Sequence, residues 1–309
     1  MSDKFLKSFT VKLLAFFIVI FLSDFFIGHL LQTFYFKQKA GFDYQATYAI
    51  NEVKAEFLIF GSSRAANLFD PEIFESRLNM SCFNAGRDGY PIFYHYALLQ
   101  ANLMRHVPKK IILSFDAGNF SIDQEDYDRI SALLPYYKNH TEFKSIIRLK
   151  GPYENLKMLS SIYPYNSLLI PIILGNANSS KEAYANIKGY FPYKKIINGP
   201  LINFDYTKEK KLDTIKINIF KLFIQHCVDL NIDLYIVCTP YLINSKGTDL
   251  SIITAKKISQ QYNISFLDYS RDTFYTNRSY LFADFRHLNE KGVKLFSNII
   301  VDTIKILNH

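Results

Sequence analysis

Two short stretches far apart in this chain carry residues that can do acyl chemistry. Near the start, Gly61-Ser62-Ser63-Arg64 closes an apolar run, Ala55–Phe60, that reads as a β-strand. A serine on a sharp strand-to-helix turn has its hydroxyl lifted clear of the sheet and its backbone N–H facing the site. Gly61 permits such a turn, because a side chain there would crowd the backbone. Near the end, Asp284-Phe285-Arg286-His287 stands just before the last helical stretch. A serine hydroxyl is a poor nucleophile until a histidine takes its proton, and the imidazole needs a carboxylate to fix its tautomer. Asp284 and His287, three apart on one loop, can serve one serine as orienter and base. Each stretch has a plainer use by itself, Gly-Ser-Ser as a helix cap and Asp-x-x-His as a capping loop with a surface histidine. Together they point to a nucleophilic triad.

The elements that must position these residues alternate between strand and helix, the pattern of a parallel sheet covered by helices on both faces. After Ala55–Phe60 a helix is expected around Pro71–Leu78, with Asp70 as N-cap and Pro71 at the first position. A short strand, Ser81–Asn84, ends in Ala85-Gly86-Arg87-Asp88-Gly89. A helix over Ile92–Met104 precedes a third strand, Lys109–Phe115, ending in Asp116-Ala117-Gly118-Asn119. From Ser121 to about Lys210 the alternation stops, and the residues are rich in Tyr, Pro and Asn. This stretch is read as an insertion packing over the top of the sheet. One of its apolar runs, Ile162–Leu174, carries Pro164 and Pro171 and is too short to span a membrane. The alternation resumes with a helix at Leu212–Leu230, a strand at Asp233–Cys238 closed by Thr239-Pro240, a helix at Ile252–Tyr262, a strand at Ile264–Asp268 and a last helix from about Asn289 to Leu307. In an open parallel sheet the ligand crevice lies at the carboxyl ends of the strands, where Ser63, the 84–89 turn and the 116–119 turn all fall.

Ahead of this pattern lies an apolar stretch, Leu13–Leu31, about long enough to cross a bilayer as a helix. Asp24 interrupts it and must sit near an interface, find a partner or be neutral. No small-residue cleavage site follows, which favours an uncleaved signal anchor. Lys4, Lys7 and Lys12 before the run favour a cytoplasmic N-terminus and a single-pass protein with its domain on the periplasmic or extracellular side, against the weaker opposing signal of Lys37 and Lys39. The expected organisation is an anchor over 1–37, a polar linker over 38–54 and an α/β domain over 55–309, interrupted by the 121–210 insertion. The net charge of +8 fits an anionic partner or simply a lysine-rich surface. No zinc-finger spacing, RNA-binding signature or long basic run points to nucleic acid, and no carboxylate and histidine cluster has metal-ligand spacing. Cys82, Cys227 and Cys238 are too few and scattered for a disulfide framework and read as buried free thiols.

The order of these motifs resembles the SGNH/GDSL hydrolase superfamily, with a Gly-Asp-Ser-like turn after the first strand, a Gly after the second, a Gly-x-Asn-Asp-like turn after the third and Asp-x-x-His before the last helix. The match runs over roughly Ala55–Ser121 and Asp213–His309. The Gly-Ser-Ser variant, with Ser62 in place of the usual Asp, looks like the anchored branch of teichoic-acid D-alanylation and alginate O-acetylation, whose members work beside membrane-bound O-acyltransferases. The resemblance implies a flavodoxin-like doubly wound parallel sheet and a catalytic triad of Ser63, Asp284 and His287. Its oxyanion donors would be the backbone N–H groups of Ser63 and Gly89, with a third from Asn119 in a reshaped loop or from the position of Asp116, where the family has Asn. A carboxylate there would repel an oxyanion unless protonated or turned away. No cofactor or metal is implied. The activity implied is that of a serine esterase or O-acyltransferase on a cell-envelope polysaccharide or other polymer. The alternative is a catalytically degenerate scaffold that binds a glycan or a membrane acyltransferase.

Arg64 and Arg87 would flank such a site. They are expected either to bind an anionic substrate or to pair with Asp70, Asp88 or Asp116. The insertion's Tyr136, Tyr137, Tyr163, Tyr165, Tyr190 and Tyr193 are expected either to stack on sugars or to pack an irregular segment.

Overall fold

The computed structural model describes residues 3–177, 188–197, 202–206 and 211–307; the parts of the insertion at 178–187, 198–201 and 207–210 lie outside the described residues. Along the chain, α1 (Asp3–Lys37) and α2 (Gly41–Asn51) lead into β1 (Phe57–Phe60), α3 (Ser63–Leu68), α4 (Pro71–Leu78), β2 (Cys82–Asn84), α5 (Ile92–Leu103) and β3 (Lys110–Ser114). Short helices of three to eight residues then precede α6 (Leu169–Ala177), β4 (Ile202–Asp205), α7 (Thr214–Asp229), β5 (Asp233–Cys238), β6 (Ile243–Lys246), α8 (Leu250–Gln261), β7 (Ser265–Asp268) and α9 (Glu290–Leu307). The chain divides into two compact units, Met1–Thr47 with Ile130–Lys181 and Tyr48–Arg129 with Glu182–His309.

The larger unit holds a five-stranded parallel sheet in the order β2-β1-β3-β5-β7. Its inner strands, Phe-Leu-Ile-Phe in β1 and Lys-Ile-Ile-Leu-Ser in β3, are buried throughout. Strands buried at every position, with no polar-out alternation, belong to a sheet covered on both faces. Phe57, Ile59, Ile112, Tyr235 and Val237 share one core with Phe74 of α4 and with Val293, Phe296 and Ile300 of α9. Phe60 meets Phe223 of α7 instead. The caps are local: Asp70 accepts from the Glu72 N–H with Pro71 beginning α4, and Asp213 and Asp249 do the same for α7 and α8. Asn79 closes α4 in the left-handed conformation. Cys82, Cys227 and Cys238 are free and buried.

Residues 38–54 are not simply a polar linker, because α2 occupies most of them. Ala46, Ala49, Ile50 and Val53 recur at helical spacing and are buried. Nor is the 121–210 insertion one element. Its middle gathers with the N-terminal segment into the smaller unit, while the described residues 188–197 and 202–206 belong to the larger one.

In the smaller unit α1 is long and apolar enough to cross a membrane, as an anchor or a signal sequence would be, and its apolar residues are largely unburied. Its C-terminal end takes part in an aromatic core in which Tyr35 contacts Tyr136 and Tyr165 and Tyr136 contacts Phe143. Asp24 has partners: it accepts from Ser160 Oγ at 2.5 Å, the Ser161 N–H at 2.6 Å and the Ile162 N–H at 3.4 Å.

Candidate active site

The turn after β1 is built so that its two serines face different partners. Gly61 sits at φ +139°, and a Cβ there would lie 2.8 Å from Ser114 at the end of β3. An alanine at 61 would therefore have to bend the turn away from β3. Ser62 holds the N-cap position of α3 without capping it; its hydroxyl donates instead to Asp116 Oδ2 at 2.5 Å. Ser63 begins α3, and its Oγ lies 2.9 Å from His287 Nε2.

The imidazole is held by a tight loop between Phe282 and Leu288, which form an antiparallel bridge. Inside it Asp284 Oδ1 accepts from the Arg286 N–H at 2.8 Å and the His287 N–H at 3.0 Å. His287 Nδ1 lies 2.9 Å and 3.0 Å from the two carboxylate oxygens. An ionised carboxylate only accepts, so Nδ1 carries the proton and Nε2 is left to accept from the Ser63 hydroxyl. Burial opposes ionisation of Asp284, but the His287 ring and the two N–H bonds outweigh it and hold its pKa at about 2. The Phe285 carbonyl accepts from the Leu242 N–H at 3.0 Å, tying the loop to the segment beyond β5.

The turn after β2 is pinned against the turn after β1. Ala85 N–H donates to the Ile59 carbonyl at 2.7 Å and Arg87 N–H to the Gly61 carbonyl at 2.9 Å, so the β1–β2 pairing continues into both turns. Asn84 Nδ2 donates to the Ala65 and Phe69 carbonyls, and its Oδ1 accepts from the Gly86 N–H. Gly89 closes the turn at φ +72°, where a Cβ would meet the Arg129 guanidinium at 2.5 Å. We expect Gly89→Ala to cost about 1 kcal/mol or more through the left-handed backbone, with Arg129 pushed aside besides, read as a lower midpoint in denaturant unfolding.

Arg64 faces inward and is 2% exposed. Its Nε donates to Thr239 Oγ1 at 2.6 Å, its Nη2 to the Thr239 and Pro240 carbonyls, and it lies 3.4 Å from the Tyr241 ring centroid. Its Nε is also 3.3 Å from Asp116 Oδ1. Of the two uses expected for Arg64, this placement is the ion pair with Asp116 and not an exposed anion contact. Burial lowers the guanidinium pKa to about 10, with Asp116 opposing that shift. The Asp116 carboxylate is thus spent on Ser62 and Arg64, turned away from the role of oxyanion donor. Asn119 is half-buried, and its backbone N–H donates to the Asp116 carbonyl at 3.2 Å. Removing the carboxylate with Asp116→Ala leaves the Arg64 charge buried without its counter-ion. The expected cost is about 3–5 kcal/mol, measurable by chemical denaturation.

Arg87 is 9% exposed, with its guanidinium 4.1 Å and 5.1 Å from the Tyr90 and Tyr94 centroids. Among the described insertion tyrosines, Tyr193 is placed at the imidazole, its ring 5.2 Å from that of His287, and its carbonyl accepts from the Glu290 N–H at the start of α9. Burial raises its phenol pKa, reinforced by Asp88 and Asp284. Tyr136 and Tyr165 are buried in the smaller unit, Tyr163 donates to Glu154, Tyr137 donates to Asn155, and Tyr190 packs at the margin of the larger core.

Sequence reasoning missed three contributors: Thr239 and Tyr241 as partners of Arg64, and Arg129 beside Gly89. The first two were within reach, since Thr239-Pro240 closes β5 at the same sheet edge as Ser63. Among the described residues no group of three or more His, Cys, Asp or Glu is placed to hold a metal ion. No protein-family model matches this chain, and a search of curated proteins finds no match.

Proposed function

We propose that the chain is a membrane-anchored serine esterase or O-acyltransferase of the SGNH type, acting on an acyl ester of a cell-envelope polysaccharide or similar polymer. The observation that carries this reading is the relay Ser63 Oγ–His287 Nε2 at 2.9 Å and His287 Nδ1–Asp284 at 2.9 Å, in the one tautomer that lets Nε2 act as base. The strand order supports the flavodoxin-like doubly wound reading, in which ligands bind at the carboxyl ends of the strands where these residues sit.

His287 takes the Ser63 proton as Oγ attacks the ester carbonyl. The tetrahedral oxyanion lies against the Ser63 and Gly89 backbone N–H groups. Collapse breaks the bond to the leaving alkoxide, which receives the proton from His287, and the acyl group stays on Ser63. Water or a sugar hydroxyl then gives its proton to His287 and attacks the acyl-enzyme; collapse breaks the acyl bond to Oγ, and His287 returns the proton to Ser63, which completes hydrolysis or transfer. Every proton moves through side chains of this chain, without a cofactor. Lys4, Lys7 and Lys12, in α1 ahead of its apolar run, support a domain on the periplasmic or extracellular side. There an anchored domain stands beside a membrane-bound acyl donor, which favours transfer and a membrane-bound O-acyltransferase as partner.

The test is labelling of the full-length protein with a fluorophosphonate, which forms a covalent adduct only with an activated serine. The wild type and Ser62→Ala take the label and Ser63→Ala does not. Folded wild type that takes no label, or label that survives Ser63→Ala, overturns the reading in favour of a non-catalytic scaffold.

A further inference from the structure

The smaller unit holds apolar surface that the acyl chemistry does not use. No Asp, Glu, Lys or Arg occurs between Lys157 and Lys181. Within that stretch α6 turns only Ile172 and Gly175 inward. Leu169, Ile170, Ile173 and Leu174 are 51%, 70%, 64% and 61% exposed. A face of four large apolar side chains with no charge is rare against water.

The same segment runs along the C-terminal half of α1. Its start is held by Asp24 through Ser160, Ser161 and Ile162. Gly28 lies so close to Ser161 that a Cβ there would collide with its backbone, and Gly175 is equally close to the Gln38 side chain. At the far end Asn176 Nδ2 donates to the Phe34 carbonyl at 2.9 Å, and the Lys39 N–H donates to the Gly175 carbonyl at 3.1 Å. Small residues at the contact and polar side chains bonding across it are how helices associate in lipid. Beside it, α1 exposes Phe26, Ile27, Leu30 and Phe34, so apolar surface occurs on both partners of this contact.

We propose that residues 160–177 form a second membrane-embedded segment, a re-entrant stretch beside α1 whose outward face lies against lipid acyl chains. This rests on reading α1 as a membrane helix. If residues 13–31 fill the hydrocarbon layer, Asp24 lies roughly 10 Å inside its border, at about 1.5 Å per residue. A charge at that depth is retained only with partners, and the start of the segment supplies three donors. In lipid the backbone must also find its partners within the protein. The turn meets this demand: the Tyr163 N–H donates to Ser160 Oγ, Tyr165 N–H to the Ile162 carbonyl, Leu168 N–H to the Tyr165 carbonyl and Ile172 N–H to the Leu168 carbonyl.

Cysteine probes on the full-length protein in phosphatidylcholine bilayers test this. Ile170→Cys and Ile173→Cys are each labelled with bimane, with Phe17→Cys on α1 and Met104→Cys, 76% exposed at the end of α5, as references. The native thiols are buried and do not compete for the label. Quenching by doxyl-labelled lipid is expected to be several-fold stronger at 170 and 173 than at 104 and comparable to that at 17, with iodide giving the reverse order. If 170 and 173 behave like 104 while 17 is quenched by lipid, the proposal fails and the anchor stands. If 17 is also open to iodide, both fail. Shielding of 170 and 173 from both quenchers places a second copy there and overturns the lipid assignment.

Discussion

Replacing His287 with alanine, Ser63 left in place, is expected to lower turnover of an activated ester such as p-nitrophenyl acetate on the order of 10⁴-fold or more. Nε2 is the proton acceptor 2.9 Å from Ser63 Oγ, and without it the hydroxyl must ionise unaided. Ser63→Ala should cost about as much. The double variant should cost little more than either alone, because a nucleophile and its base act as one unit. Additive losses would mean that the two side chains act separately and would sink the relay. Circular dichroism on each variant separates lost chemistry from lost folding.

Asp284→Asn is the second large effect, also expected on the order of 10⁴-fold in kcat. The amide is nearly isosteric but can present an N–H toward Nδ1. That favours the tautomer with the proton on Nε2, facing a hydroxyl it can no longer deprotonate. KM should move much less than kcat, because the carboxylate acts through the imidazole. A variant that kept wild-type kcat would remove Asp284 from the mechanism. The pH dependence follows from the same carboxylate. Its folded pKa, about 2, lies below the ordinary aspartate value of 3.8, so its contribution to stability is fully present above about pH 4. That contribution is lost as pH falls through about 2. Asp284→Asn should therefore flatten the acid limb of a stability-against-pH curve between those values and leave the neutral plateau with its shape unchanged.

Much of the sheet domain was legible because its signals are local. Asp233–Cys238 is an apolar run bounded by polar residues, and Asp70-Pro71 announces α4 by cap and first-turn chemistry. The meeting of Ser63 with the 284–287 loop was legible because the sheet edge collects strand ends. Which serine faces the imidazole is another matter, since Ser62 and Ser63 differ in sequence only by one step of a turn. Ser62 is claimed by Asp116, a residue from a different strand end. The same distance in sequence hid the tie between Arg64 and Thr239. α2 was missed because its buried apolar stripe, Ala46, Ala49 and Ile50, holds a single large side chain among polar neighbours that read as a linker. The division of the insertion was missed because its middle packs against α1, more than a hundred residues upstream; Tyr35 and Tyr136 are 101 positions apart. No local pattern encodes such a pairing.

The 224 positions between Ser63 and His287 have a consequence for the protein's synthesis. If the proposed relay holds, Ser63 leaves the ribosome long before the imidazole that would activate it. A nascent chain is therefore a latent one, with an inert alcohol where the nucleophile will be. On the same reading, chains truncated before the 284–287 loop would stay inert, and reactivity would become a late checkpoint on synthesis.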